Sequence, residues 1–253
     1  MSPDRQQGLA SWSTVWCDRG RIVRRSNVTD NCAGPDDAWW ERSLGIHDAR
    51  AESYSAFARV LRFPDTVPAR SIAVVANVCE CGPCAHVSAS ELADARERAC
   101  SWTHNINDSM SLAVEHIRLF GGFGIPGATN CLVAARDARR ETRRAVDEIS
   151  CAYQRFGYWT EDTSDHALCP AHASNALGFM SHCLLIGDLG VPAATREAQL
   201  FYARFLSHWM PGFADAIRNE AHHPVTTLLG VALAEFAHRE NAITLQSSAS
   251  GPV

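Results

Sequence analysis

The sequence predicts an all-α protein, and three observations support this fold class. Apolar residues recur at helical spacing from Ala49 to near the end of the chain. Serine, proline and glycine stand where helices are expected to begin and end. Strand signals are sparse, because the short β-branched run from Ser71 to Val78 is equally typical of a buried helix start. Since strands and helices do not alternate, we predict a bundle of helices rather than a layered sheet.

Three helices are predicted in the first half of the chain. The stretch "ARAESYSAFARVLRFPD" begins at Ala49 and is stopped by Pro64. The stretch "SASELADARERACSW" opens with a serine and a glutamate at capping-box spacing, which predicts a helix over about 90–102. The stretch "NDSMSLAVEHIRLFGGFG" begins near Asp108 and ends at a glycine pair, since glycine readily adopts the left-handed geometry of a helix C-terminus.

The second half of the chain predicts further helices. The long stretch "LVAARDARRETRRAVDEISCAYQRFG" interleaves arginine with glutamate on a solvated face and is closed by Gly157. The stretch "AHASNALGFMSHCLLIGDLG" places one apolar stripe on a helix, formed by Ala173, Leu177, Met180 and Leu184. The last stretch, "PVTTLLGVALAEFAHRE", begins at Pro224 and has the clearest amphipathic pattern in the sequence.

Between them, the stretch "QLFYARFLSHWMPGF" places an aromatic ring at every fourth position, at Phe201, Phe205, Trp209 and Phe213. Rings four residues apart drift by about 40° per step around an α-helix, so the four cannot share one narrow stripe. We predict that the first three are core residues packed on the last helix, and that Phe213, beyond the break at Pro211, seals the joint with the next segment. Trp209→Ala would then lower the free energy of unfolding by roughly 3–5 kcal/mol.

Composition and charge exclude several functional classes. The net charge of −5 over 253 residues gives no basic surface for nucleic acid. All 23 basic residues are arginines, which excludes chemistry that needs a lysine, such as a Schiff base or a phosphate-binding loop. The zinc-hydrolase, serine-hydrolase and dinucleotide-binding motifs are also missing. We therefore expect no enzymatic activity and no cofactor.

The expected location is the cytoplasm. The sequence has no run of about 18 apolar residues, so membrane insertion is not expected. The N-terminal region lacks the apolar segment of a secretory signal. Ten cysteines in such a chain suggest reduced thiols rather than a disulfide framework.

The cysteine cluster "CECGPCAH" supports an alternative function. Cys79, Cys81, Cys84 and His86 lie close enough in sequence to supply soft ligands to zinc or to an iron–sulfur cluster. A structural zinc site usually joins two distant ligand pairs, and no second close pair completes this one. The alternatives are a cysteine-containing loop and a metal-binding or thiol redox protein.

The stretch "EDTSDHALCP" places Asp165 beside His166 in a loop between two predicted helices. Adjacent side chains usually point apart, so the two are poorly suited to act as a catalytic dyad. They can cap the next helix, or they can present an anionic acceptor and a titratable donor to a guanidinium or a peptide backbone.

Three segments together resemble the TorD/DmsD/NarJ-type family of redox-enzyme maturation chaperones. The stretch "RAESYSAFARVLRFPD" resembles the family's opening helix. The stretch "AVEHIRLFGGFG" is similar to a family segment matched here by Glu115, Arg118, Leu119, Phe120 and Gly121. The third part combines the Asp165 and His166 loop with a later helix motif, matched by Phe201, Trp209, Pro211 and Phe213.

The resemblance covers roughly residues 49–240 and implies a TorD-like, single-domain bundle of about 8–11 helices. It identifies 49–241 as the chaperone domain, after a polar arm or appended element at 1–48 and before a flexible tail at 242–253. It also implies a non-catalytic partner of a molybdenum-cofactor oxidoreductase of the dimethyl-sulfoxide-reductase class. Such a chaperone binds the catalytic subunit and its twin-arginine signal peptide until the cofactor is inserted, as a monomer or a helix-exchanged dimer.

The resemblance also implies a client-binding site. Asp165, helped by Glu115, would accept a signal-peptide arginine, while His166 orders the loop and makes a polar contact. Leu119 and Phe120 would form part of an apolar groove wall at the helix end that also carries Arg118, Gly121 and Gly122. The net negative charge would assist the capture of a positively charged peptide.

Overall fold

A short antiparallel sheet precedes the helices in the computed structural model, which describes residues 15–18, 21–24, 49–62, 69–78, 86–103, 109–120, 139–159 and 170–249. Strand β1 (Val15–Asp18) pairs with β2 (Arg21–Arg24), so that Val15 faces Arg24. The pair lies within the 1–48 segment, for which no strand was predicted. Its β-branched residues favour extended backbone, but two four-residue strands give too short a pattern to detect.

The described residues from 49 onward form nine α-helices, which confirms the predicted all-α class. Their bounds are α1 (Ala49–Val60), α2 (Ala69–Asn77), α3 (Ala89–Thr103), α4 (Ser109–Phe120), α5 (Arg139–Arg155), α6 (Ala173–Asp188), α7 (Pro192–Phe201), α8 (Met210–Glu220) and α9 (Pro224–Ala249). The ambiguous β-branched run is therefore the helix α2. The last helix continues to Ala249, into the segment from 242 that was expected to be a tail.

Helices α6 and α9 lie at the centre of one contiguous apolar core. Helix α9 packs on α8, α3, α2, α4 and α1, while α6 packs on α1 and α7. The apolar stripes predicted for both helices are buried. Gly157 closes the turn after α5 with a φ of 65°, a left-handed conformation that favours glycine. The helix pattern and its stop signals therefore predicted this part of the fold correctly.

Two buried carboxylates on α9 fix distant segments to the core. Glu240 accepts two hydrogen bonds from the guanidinium of Arg50, at 2.8 and 2.9 Å, and one from the hydroxyl of Tyr54 at 2.7 Å. Glu235 accepts the backbone N–H groups of His86 and Val87 at 2.9 and 3.2 Å. Because a buried carboxylate is costly without such partners, these bonds specify how α1 and the approach to α3 lie on α9.

The connection between α7 and α8 differs from the predicted single helix. A π-helical turn follows α7 at Tyr202–Leu206, and the N–H of Ser207 donates to the carbonyl of Tyr202 at 2.9 Å. The Tyr202 hydroxyl donates to the carbonyl of Ala237 at 3.2 Å and to the side-chain oxygen of Asn241 at 2.9 Å. Because these partners lie on α9, the turn depends on tertiary contacts rather than on local periodicity.

The π-turn changes the burial of the aromatic ladder. Phe201 is buried as predicted, but Phe205 and Trp209 are only half-buried, so their assignment as full core residues is wrong. Phe213 is 2% exposed, and Trp209 stacks on it with the ring centroids 4.3 Å apart. Pro211 lies in the first turn of α8 rather than breaking the end of a longer helix. The extra residue in the π-turn rotates the later rings away from the expected direction.

Gly230→Ala is expected to destabilise the protein by about 1–3 kcal/mol, because α8 crosses α9 at this glycine. An added methyl group would lie 2.5 Å from the backbone nitrogen of Arg218 and 2.7 Å from its Cα. Chemical unfolding measures the effect. Gly212→Ala in α8 is the matched control, since nothing lies within 4 Å of its added methyl group, and equal effects of the two substitutions would contradict the close crossing.

None of the described helices is long and apolar enough to cross a bilayer.

Candidate functional site

The residues predicted to bind a client divide into two groups. Asp165, His166, Gly121 and Gly122 lie outside the described residues, so their roles stay predictions. Glu115, Arg118, Leu119 and Phe120 lie on α4. The predicted site can therefore be compared with the structure only on this helix.

Glu115 is buried, and its carboxylate is bonded within the chain. Arg118 donates to both carboxylate oxygens, at 2.7 and 3.0 Å, and also donates to the carbonyl of Glu220. The backbone N–H groups of His222 and His223 donate to Oε1 of Glu115 at 2.6 and 3.2 Å. Glu115 thus ties α4 to the connection between α8 and α9, and a client arginine would have to displace Arg118 to reach it.

These bonds keep Glu115 ionised. Burial alone would raise the pKa of its carboxyl group, but the hydrogen bonds from Arg118, His222 and His223 outweigh burial and lower the pKa to about 2. The carboxylate is therefore charged at every pH at which the protein is expected to work. Its geometry indicates a structural role.

Leu119 and Phe120 are buried in the core, so their side chains do not form an exposed groove wall as predicted. Helical periodicity explains the difference, because α4 presents a second apolar face to solvent. Met110, Val114 and Ile117 are exposed on that face at spacings of four and three residues. The sequence contained this second stripe, but periodicity alone does not tell which of two apolar faces is buried.

Two imidazoles are buried in this region, one on α4 and one at the start of α6. His116 packs edge-on against Phe120 at 4.8 Å, and His172 caps α6 by accepting the N–H of Ser174 at 3.2 Å. Burial lowers the pKa of His116 to about 4. Burial, then the nearby charges of His116 and Arg62, lower the pKa of His172 to about 4. Both imidazoles are therefore neutral in the folded protein near neutral pH.

His116→Gln is expected to make the free energy of unfolding depend less steeply on pH in mild acid. Since the pKa of His116 falls from 6.5 to about 4 on folding, the unfolded chain binds more protons in that range and stability falls as the pH decreases through it. The substitution should reduce this slope by up to about 1.4 kcal/mol per pH unit. Urea unfolding across that range measures it, with the exposed His208→Gln as control. An unchanged slope in His116→Gln would contradict the buried, neutral state.

The described residues form an open groove between α5 and the segment made of α7 and the π-turn, with a volume of about 730 Å³. Its apolar surface comes from Ala152, Leu200, Phe201 and Phe205. Leu200 is 56% exposed and contributes apolar surface to the groove. The π-turn contributes directly, since it leaves Phe205 half-buried at the groove rather than in the core.

Ion pairs lie at both ends of the groove, and those of Arg204 with Glu148 and of Arg155 with Glu197 join its two sides. Arg204 donates to Glu148 at 2.6 Å, and Arg144 donates to the other oxygen of Glu148 at 3.1 Å. At the opposite end, Arg155 donates to Glu197 at 3.3 Å. The guanidinium of Arg204 also lies over the ring of Phe205, 5.3 Å from its centroid. Such exposed pairs contribute about 0–1 kcal/mol each, so a ligand can exchange them at little cost.

The groove is long enough to cover about three turns of a helical peptide. Residues 144–155 of α5 line it over a rise of about 16 Å, or three helical turns. An apolar surface with charged edges is the usual arrangement for an amphipathic or apolar helix bound between two helices. Sequence reasoning missed the groove because its two sides lie more than forty residues apart. Its one local signal was the apolar Leu200 on the polar side of α7.

The alternative metal site is described only at His86, since the three cysteines lie outside the described residues. The His86 ring stacks on that of His238 with centroids 5.5 Å apart, and its Nε2 lies 3.6 Å from a carboxylate oxygen of Asp215. Within the described part of the chain, no three histidine, cysteine or acidic side chains are arranged to hold a metal ion. The metal-binding or thiol redox alternative therefore stays a prediction, which metal analysis of the protein and its Cys81→Ser variant would test.

No known protein-family model matches the sequence, and no curated protein is significantly similar to it. The resemblance to TorD-like chaperones therefore depends on the motifs and on the all-α class.

Proposed function

We propose that the protein is a non-catalytic, cytoplasmic chaperone for maturation of a molybdenum-cofactor oxidoreductase. It binds the twin-arginine signal peptide of the client, and parts of the client body, until the cofactor has been inserted. The motif resemblance gives the class of client, and the groove between α5 and α7 is the observation that carries the binding role.

The position of the groove supports this proposal. A signal peptide of this type has two arginines followed by an apolar helix, so its receptor needs acceptors for guanidinium groups beside an apolar surface. The exposed Leu200 and half-buried Phe205 supply such a surface. Along the sequence, α5 ends at Arg155, and Asp165 and His166 follow within eleven residues. The end of α5 that lines the groove is thus close in the chain to the predicted acceptors.

The residues then have separate roles in binding. The apolar helix of the peptide lies on Leu200 and Phe205, and its arginines contact Asp165 and the carboxylate of Glu197. His166 orders the loop and makes a polar contact. Glu115 and Arg118 position α4 on the bundle instead of binding the client.

Leu200→Glu is expected to weaken binding of a synthetic twin-arginine signal peptide by at least about tenfold, because a carboxylate would be buried against the apolar helix. Isothermal titration calorimetry measures the affinity. Leu245→Glu is the matched control, since Leu245 is 71% exposed near the end of α9, away from the groove lining. Equal affinities of Leu200→Glu and the wild type would remove the groove from the proposal.

Alanine at both Asp165 and His166 tests the other half of the site. We expect weaker peptide binding with a nearly unchanged melting temperature, because the pair is assigned to the ligand rather than to the core. Unchanged affinity would remove the acceptor role of this loop.

A further inference from the structure

We infer that the groove accepts a bulky aliphatic side chain of an uncharged helical segment at its centre, and that the small residues Cys151 and Ala152 determine the size of that side chain. This position, the central window, is lined by Cys151 and Ala152 of α5 and by Leu200 and Phe201 of α7. The inference rests on the proposed function and names the feature of the apolar helix that the groove recognises.

Two ion pairs frame the central window. Glu148 of α5 pairs with Arg204 at 2.6 Å, and Arg155 pairs with Glu197 of α7 at 3.3 Å. Since the earlier residue of α5 faces the later residue of the opposite side, the two sides of the groove run antiparallel. Both partners shift by seven residues from one ion pair to the other, which corresponds to a rise of about 10 Å along α5. The central window is therefore about two helical turns long.

Helical spacing places the four lining residues midway between the ion pairs. Cys151 and Ala152 lie three and four residues after the acid that α5 contributes to its ion pair, a spacing that keeps them on the same face of the helix. Leu200 and Phe201 lie at the same spacing after the acid of α7. The two small residues of α5 therefore face the two large residues of α7 across the groove.

The two sides of the central window differ in size. Cys151 is exposed and Ala152 is 5% exposed, whereas α7 provides the largely exposed Leu200 and the buried ring of Phe201. When two helices pack directly, a large side chain of one inserts into a hole formed by four residues of the other. Since α5 places two small side chains at this point, the window forms such a hole between the helices. A leucine or another bulky aliphatic side chain of a ligand fits this hole.

Within the described lining of the groove, charge is confined to the two ends. The charged residues lie at the ion pairs or beyond them and are Arg144, Asp147, Glu148, Arg155, Glu197 and Arg204. Because each ion pair contains both signs, the ends do not distinguish the direction of a bound peptide. A ligand helix must be uncharged over the two turns that cross the window, since a charge there would be buried against apolar surface. The apolar helix of a signal peptide meets this requirement, whereas a helix with a charged residue in every turn does not.

Calorimetry with two synthetic peptides tests the size selection. Both peptides carry the arginine pair, and they differ only in the apolar helix, which is rich in leucine in one and made of alanine in the other. The wild type should bind the leucine peptide at least about tenfold more tightly, because leucine fills the hole and alanine does not. Cys151→Phe should reduce this preference to less than about threefold, since the added ring occupies the window. Its affinity for the alanine peptide should stay within about twofold of that of the wild type.

Two control variants separate size from other effects. Gln154→Phe adds the same ring at an exposed position of α5 outside the groove lining and should keep the wild-type preference. Cys151→Ser keeps the size of the side chain and should also keep the preference, which excludes a role of the thiol. Because the readout is a ratio of two affinities, a partial loss of folded protein does not change it.

The outcomes distinguish this inference from the proposed function. An unchanged preference in Cys151→Phe, or an equal loss of preference in Gln154→Phe, would overturn the inference. Equal affinities of the wild type for the two peptides would also overturn it, while the arginine-dependent binding of the proposed function could still hold. If lysines in place of the arginine pair left the affinity and the leucine preference unchanged, the inference would stand and the twin-arginine function would fail. Absence of saturable binding to the wild type would overturn both.

Discussion

Phe213→Ala is expected to destabilise the protein by about 3–5 kcal/mol, whereas Trp209→Ala should cost about 1–2 kcal/mol. Phe213 is buried between α4 and α8, with its ring 6.0 Å from that of Phe120 and 4.3 Å from that of Trp209. Trp209 is half-buried and covers Phe213 from the solvent side. Removal of the Trp209 side chain exposes one face of the Phe213 ring, whereas removal of the Phe213 ring leaves a cavity in the core.

Urea unfolding of the two variants measures this order. The result distinguishes the structure, in which Trp209 is half-buried, from the sequence prediction, which placed Trp209 in the core. A loss for Trp209→Ala equal to or larger than that for Phe213→Ala would mean that the aromatic ladder continues as one α-helix. It would also contradict the π-turn that places Phe205 at the groove.

Glu115→Gln is expected to destabilise the protein by about 3 kcal/mol at neutral pH. The substitution removes the charge that holds Arg118 and the backbone of His222 and His223, and it leaves their donors with a weaker acceptor. Glu97→Gln on the exposed face of α3 is the control, with an expected change within about 0.5 kcal/mol.

The effect of Glu115→Gln depends on pH in a defined direction. The pKa of Glu115 falls from 4.5 to about 2 on folding, so the unfolded chain takes up a proton first as the pH decreases. The contribution of this carboxylate is complete above pH 4.5 and is lost as the pH falls toward 2. The difference in unfolding free energy between wild type and variant should therefore shrink across that range. A difference that stays constant with pH would contradict the assignment of the ionised carboxylate.

Local signals predicted the helices that begin or end at recognisable residues. Pro224 begins α9, Gly157 closes the turn after α5, and the serine–glutamate pattern marks the start of α3. These features act through backbone geometry and hydrogen bonds within a few residues, so the sequence contains them directly. The all-α class follows from the sum of such elements.

Features that depend on distant partners were not predicted. The π-turn after α7 is held by bonds from Tyr202 to α9, and the burial of Glu115 depends on N–H groups more than one hundred residues away. The resemblance implied a binding role for Glu115 because its charge is visible in the sequence and its partners are not. The groove required the relative position of α5 and α7, which no local pattern contains.

Titration of the full-length protein with a synthetic signal peptide tests the central claim most directly. The peptide carries the arginine pair and the apolar helix, and two further peptides carry a lysine pair or a serine-substituted apolar segment. We expect saturable binding of the first peptide at one per chain, and weaker binding when either feature is replaced, because lysine lacks the bidentate fork of arginine and serine lacks the apolar surface. Absence of saturable binding, or equal affinity for all three peptides, would contradict the proposed chaperone function.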